Sequence, residues 1–278
     1  MGHATPVYIV LRQSPEWGIQ TYADLEKTRD FCRLIGRPEN FISERVMLWD
    51  RTFRTGFFAV RQVMKEICLE NFRSVSGASL VSLEQSRDAL DPDAFYLFTD
   101  DDDWYHPGIA RVLSALDPRA CEAILWYSAR FRRGLTPRLP DAFYTNNYAV
   151  SGTMLAQLRG NLEKVCQHFG AHETFFGKTP ISMARRIGYA SLVRRFMVKG
   201  FCPVIRLSEF LSMTNKHPAS TVVLKSLGEN PTPEQLRTLV ENSILDNSSA
   251  AVSPEFHWAL SSMERVNDFF ARLLDEAR

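Results

Sequence analysis

Ala94-Phe95-Tyr96-Leu97-Phe98-Thr99-Asp100-Asp101-Asp102-Asp103-Trp104-Tyr105-His106-Pro107 is the stretch on which the reading of this chain turns. Its first six residues, Ala94 to Thr99, form an apolar run between Pro92 and four carboxylates, and predict a central strand. Pro107 stands where a helix begins and a missing N–H costs nothing, so a helix is expected over Pro107 to Leu116. Four adjacent carboxylates repel one another, and ionising all of them is expensive without a cation. A like-charge run is ordinarily a solvated loop. This one is framed by Phe-Tyr-Leu-Phe before it and Trp-Tyr-His-Pro-Gly after it, a setting that exposed acid tails do not have. Hard divalent ions such as Mg²⁺ and Mn²⁺ take oxygen ligands, often one or two carboxylates plus substrate phosphates. In open α/β sheets, ligands sit beyond the carboxyl ends of strands, which is where this cluster falls.

Outward from that stretch, strand and helix alternate. Val7 to Leu11 is a short β-branched run that predicts a buried first strand. Tyr22 to Ile35 and Phe57 to Phe72 carry apolar residues at helical spacing. Ala123 to Tyr127 predicts a strand and Phe143 to Val150 a weaker one, with a helix over Thr153 to Phe169 and at least one more within Ile181 to Lys199. Val204 to Met213 mixes strand and loop character. Beyond Asn230, Pro233 to Leu245 and Pro254 to Ala277 read as polar-faced helices joined through Asn247-Ser248-Ser249. The alternation predicts an α/β fold with a mainly parallel, Rossmann-like central sheet flanked by helices. Residues 1–228 are expected to form the catalytic unit, and 229–278 a helical appendage.

Composition narrows the function. The 278 residues hold 33 Lys and Arg against 32 Asp and Glu, a formal net charge of +1. That balance argues against a general nucleic-acid binder, which shows a basic excess. At 45% hydrophobic and 23% charged, the chain has ample core and no signature of disorder. Five dispersed cysteines without a CxxC pair predict reduced thiols rather than a disulfide framework. No apolar run reaches the roughly 20 residues that span a bilayer, and the opening MGHATPVYIV lacks a secretory signal pattern. A cytoplasmic location is therefore expected, with peripheral contact at the inner face of the membrane a role open to the tail.

The order "apolar strand, four Asp, two residues, His-Pro, helix" resembles the metal loop of GT-A-type glycosyltransferases, in the family-2-like and rhamnosyltransferase-like branches. There a DxD-like motif at a strand end holds a divalent metal that grips the diphosphate of a nucleotide sugar. The resemblance implies Mn²⁺ or Mg²⁺ as cofactor, a nucleotide-sugar donor, and a glycan or glycolipid acceptor, as in bacterial surface polysaccharide synthesis. Asp101 and Asp103 would be the ligating pair, with Asp100 and Asp102 the equivalent pair one step earlier; Asp100, Asp101 and Asp102 would serve the metal-bound nucleotide. His217, in Asn215-Lys216-His217-Pro218, stands where such enzymes complete the metal shell with a late His, and Lys216 suits phosphate. The opening Val7-Tyr8-Ile9-Val10-Leu11-Arg12 places Arg12, then Trp17, where base or ribose would be met. An inverting reaction needs a general base; Glu173 is the first candidate and Asp141 the second. Asn146 and Asn147, among Tyr144 and Tyr148, are suited to sugar hydroxyls. Two alternatives stand beside this reading: a catalytically silent metal- and sugar-binding module of the same fold, and a nucleotidyl or phosphoryl transferase using the same acids.

Overall fold

The computed structural model describes residues 4–12, 51–82, 85, 89–100, 102–131, 135–138, 146–153, 155–156, 202–220, 227, 231–243 and 254–276. The expected helices over Tyr22 to Ile35 and within Ile181 to Lys199, and most of that over Thr153 to Phe169, lie outside these residues.

Among the described residues, an eight-stranded mixed sheet organises the fold. Its strands are β1 (Val7–Arg12), β2 (Ala78–Ser82), β3 (Phe95–Asp100), β4 (Asp103–Tyr105), β5 (Cys121–Phe131), β6 (Leu135–Arg138), β7 (Tyr148–Ser151) and β8 (Cys202–Asn215). They run in the order β2-β1-β3-β7-β5-β8-β4, with β6 paired to β5. β1 is parallel to both β2 and β3. β7 then runs antiparallel to β3 and to β5, so β5 and its parallel neighbour β8 point the same way as β1. β4 and β6 run against them. The expected mainly parallel sheet is therefore corrected to a mixed one. Among the described strands three pairings are parallel and four antiparallel, because β7 threads backwards between two parallel blocks and two short strands add on in reverse. β1, β3 and β5 nevertheless end at one edge, and with them β8.

Local chemistry explains where sequence reading succeeded and where it fell short. Phe95 to Leu97 are buried, as a central strand requires. β2 and β6 were not expected, since Ala-Ser-Leu-Val-Ser and Leu-Thr-Pro-Arg carry too little apolar character to stand out. Val204 to Met213 proves to be the middle of one 14-residue strand, continuous in pairing with β5 apart from register shifts near Tyr127.

Helix α1 (Arg51–Ser74) lays Phe53, Phe57, Val60, Met64, Ile67, Cys68 and Phe72 into the core at helical spacing. It leads into β2 through Gly77, whose φ of 84° suits a residue without Cβ. Helix α2 (Ile109–Ser114) follows His106-Pro107-Gly108. Helix α3 (Pro233–Glu241) starts on a reciprocal capping box between Thr232 and Gln235. A 3₁₀ turn, Pro254–Ala259, leads into α4 (Leu260–Glu276). α3 and α4 pack on α1: Leu236, Val240, Met263, Val266 and Phe270 share one hydrophobic cluster with Phe57, Val60 and Trp104. Among the described residues, no helix is long and apolar enough to cross a membrane.

Candidate functional site

The acid run is not a plain loop. Asp100 ends β3, Asp102 occupies a turn, and Asp103 begins β4. β4 pairs antiparallel with β8, setting Asp103 opposite Thr214, Trp104 opposite Met213 and Tyr105 opposite Ser212. Asp103 thereby lies at the edge where β8 ends and is 1% exposed. A three-residue strand is marginal by itself, and α1 supplies its other edge. The Asn71 side chain accepts the Tyr105 N–H at 2.7 Å through Oδ1 and donates from Nδ2 to the Tyr105 carbonyl at 3.0 Å. One buried amide thus replaces a neighbouring strand.

Past β8 the chain turns at Lys216-His217-Pro218-Ala219-Ser220. The Lys216 N–H donates to the Phe131 carbonyl at 2.8 Å, fixing the turn to the end of β5. His217 Nδ1 accepts the Ala219 N–H at 3.1 Å, and the His217 carbonyl accepts the Ser220 N–H at 3.1 Å. With Nδ1 an acceptor, the neutral ring carries its proton on Nε2, which lies 3.0 Å from Asp102 Oδ2. His106-Pro107-Gly108 repeats the turn: His106 Nδ1 accepts the Gly108 N–H at 2.9 Å and its carbonyl accepts the Ile109 N–H at 3.0 Å.

Charge is managed around the pair. Burial alone would push the Asp102 carboxyl up, but the hydrogen bond from His217, with Lys216 and Arg61 nearby, holds it below the ordinary carboxylate range. Burial pushes the His217 imidazole down, and the attraction of Asp102 does not fully offset it. The result is an ionised carboxylate beside a neutral imidazole. Arg61, 5% exposed on the inner stripe of α1, donates from Nη1 to the Ala219 carbonyl at 2.8 Å and ties the turn to the helix.

Several expected residues meet at this edge. Asp102, Asp103, Lys216 and His217 are assembled there, and Asn146 joins through Oδ1, which accepts the Thr214 hydroxyl at 3.1 Å. Asn147 is buried beside it, its carbonyl accepting the Trp126 N–H at 3.1 Å. Arg12 stands in register with Asp100, which puts their backbones together where β1 and β3 end. Trp17, Asp101, Asp141 and Glu173 lie outside the described residues. The acid brought to His217 is Asp102. Sequence reading missed Arg61 and Thr214. Arg61 did leave a signal, as a cation inside an apolar stripe that otherwise reads Phe57, Val60, Met64, Ile67 and Cys68.

The donor set bears on a cation. An ionised carboxylate is the form that holds a hard cation, whereas the His217 ring has both nitrogens engaged: Nδ1 accepts the Ala219 N–H and Nε2 carries the proton directed at Asp102. Among the described residues, no three His, Cys, Asp or Glu side chains gather as a complete ligand set. The carboxylates of Asp102 and Asp103 would fit a hard cation that draws its remaining ligands from substrate and water, with His217 orienting Asp102 through Nε2–H.

No family model matches this sequence, and no curated protein matches it.

Proposed function

We propose that this chain is a metal-dependent glycosyltransferase of GT-A type, moving a sugar from a nucleotide-sugar donor to a glycan or glycolipid acceptor. The observation that carries the reading is the buried Asp102–His217 pair, with Asp103 beside it, at the edge where β1, β3, β5 and β8 end. The mixed α/β sheet is compatible with such a fold. In this reading the carboxylates of Asp101, Asp102 and Asp103 would hold Mn²⁺ or Mg²⁺, and His217, expected as a further ligand, orients Asp102 through Nε2–H. When bound, the ion neutralises charge on the leaving nucleoside diphosphate. Arg61 fixes the His217 turn, Lys216 meets phosphate, and Asn146 and Asn147 meet sugar hydroxyls. Arg12 and Trp17 serve the nucleoside. Glu173, with Asp141 second, takes the proton of the acceptor hydroxyl in an inverting reaction. The acceptor belongs to surface-polysaccharide assembly at the cytoplasmic side of the membrane.

The test is thermal stabilisation by nucleoside diphosphates and nucleotide sugars, with and without Mn²⁺. A ligand of the native state raises stability by about RT ln(1 + [L]/Kd), which moves the midpoint by degrees. The reading requires a Mn²⁺-dependent shift with one nucleoside diphosphate that is lost in Asp102→Asn and Asp103→Ala. Stabilisation by Mn²⁺ alone, with no nucleotide response, would replace it with the silent binding module.

A further inference from the structure

A row of polar side chains crosses the sheet beside the Asp102–His217 pair. Ser128 and Arg130 are two apart on β5 and project to the same face. In register they stand beside Ser212 and Thr214 of β8, which stand in turn beside Tyr105 and Asp103 of β4. Asn146 joins the row through the Thr214 hydroxyl. With Oδ1 already accepting from Thr214, what Asn146 has left is Nδ2, a donor. Arg130 offers Nε, a charged donor, and Ser128 its hydroxyl. Each of these three atoms is buried and has no hydrogen-bond partner among the described residues. The Asn146 and Ser128 residues are both 0% exposed. Buried polar atoms without partners are few in native proteins, and a cluster of them calls for an explanation. These three share a sign: all can donate, and one is a guanidinium that suits an oxyanion.

We propose that Ser128, Arg130 and Asn146 form an oxyanion-binding subsite beside Asp103. It receives a phosphate or carboxylate group of the substrate. The proposal rests on the glycosyltransferase reading and deepens it, because it says that an anionic group lies on the β5 side of the acids. Two sources share this chemistry: the donor diphosphate itself, and a carboxylate carried on the transferred sugar.

Calorimetric titration in the presence of Mn²⁺ separates them. The probes are pyrophosphate, UDP-glucose against UDP-glucuronate, and GDP-mannose against GDP-mannuronate; the proteins are wild type, Ser128→Ala, Arg130→Met and Asn146→Asp. The last keeps the acceptor for Thr214 while removing the donor. If the diphosphate is the occupant, pyrophosphate affinity falls about tenfold or more in the variants, and acidic and neutral sugars bind alike. If a sugar carboxylate is the occupant, one uronate nucleotide binds about tenfold tighter than its neutral congener. That preference then disappears in Arg130→Met while pyrophosphate binding is unchanged. Unchanged pyrophosphate affinity with no uronate preference overturns the subsite and leaves the transferase standing. Failure of every probe to bind the wild type overturns both. The melting temperature of Ser128→Ala is an independent check. A hydroxyl kept for a ligand is removed with no loss of stability or a gain, whereas a fall of several degrees makes it structural and overturns the proposal.

Discussion

His217 Nε2 lies 3.0 Å from Asp102 Oδ2 across 115 residues of sequence, with the imidazole wholly shut from solvent. The two residues depend on each other unequally. Removing the imidazole strands an ionised carboxylate in the core, which for a buried pair costs about 3–5 kcal/mol. Converting Asp102 to Asn removes the charge but keeps an oxygen that can accept, at roughly 1.5–3 kcal/mol. Urea denaturation is therefore expected to rank His217→Ala as less stable than Asp102→Asn. The opposite ranking would mean that Arg61 and Lys216 alone satisfy the carboxylate.

Acid should weaken the fold through the same pair. Burial lowers the folded His217 below its ordinary 6.5, so the unfolded chain binds this proton first. Stability is then fully present above 6.5 and declines as the pH falls towards the folded value, by at most about 1.4 kcal/mol per pH unit. Asp102, also lowered, adds a second loss only below its ordinary 3.8. His106 is lowered by burial and by Arg111, and contributes with the same sign. Melting curves between pH 5 and 7.5 should show a shallower slope in His217→Gln than in wild type. Equal slopes would sink the assignment of a neutral buried imidazole.

Asn71 offers a test of how β4 is held. Asn71→Leu leaves the Tyr105 N–H and carbonyl buried with no partner on that side, at about 1–3 kcal/mol for each group. A loss of about 2–5 kcal/mol in chemical denaturation is expected. A loss below 1 kcal/mol would mean that water reaches this edge.

Two glycines should respond differently to alanine. A Cβ on Gly152 would sit 1.8 Å from the Asp91 carbonyl oxygen, a backbone atom that cannot step aside. A Cβ on Gly56 would meet only the Leu236 Cδ2 methyl, at 2.8 Å. Gly152→Ala should therefore cost more than about 3 kcal/mol or prevent folding, as overpacking against fixed atoms does. Gly56→Ala should fall within about 1 kcal/mol of wild type, because a rotating Leu and the better helix propensity of Ala offset the crowding. Comparable melting temperatures for the two variants would refute the distinction.

The outer pair between Arg265 and Glu70, about half exposed at both ends, joins α4 to α1. Exposed ion pairs contribute about 0–1 kcal/mol, so Arg265→Gln should leave the melting temperature within a degree or two. A larger fall would show that α4 depends on this charge rather than on Met263, Val266 and Phe270.

Much of this architecture was legible where one physical signal dominated. Val7 to Leu11 and Ala94 to Thr99 announced strands because buried central strands are continuous apolar runs, and Phe57 to Phe72 announced a helix by its period. The acid run could be singled out because charge beside apolar blocks is unusual. That His217 would join it was expected from the family resemblance alone; composition and periodicity carry no sign of it, since the meeting depends on β4 reversing against β8. Asp103-Trp104-Tyr105 is a strand only through its partners: Ser212 to Thr214 on one side, Asn71 on the other. The antiparallel insertion of β7 was equally hidden, because Tyr148 to Ser151 carries no mark of direction. Arg61 is the instructive omission. A lone cation in an apolar helical stripe is a sign that something buried needs it.

Arg61 and Asn71 hang two separate parts of the edge from one helix: the His217 turn and the strand that begins with Asp103. Ten residues of helix part them by about 15 Å, and each residue turns the helix by about 100°. Inserting or deleting a single residue between them swings one anchor away from its partner while the other stays. Substitutions along this span are graded in their effects, but a change of length is not. Insertions and deletions between positions 61 and 71 should be far scarcer among functional variants than amino-acid exchanges at the solvent-facing Gln62 or Glu66.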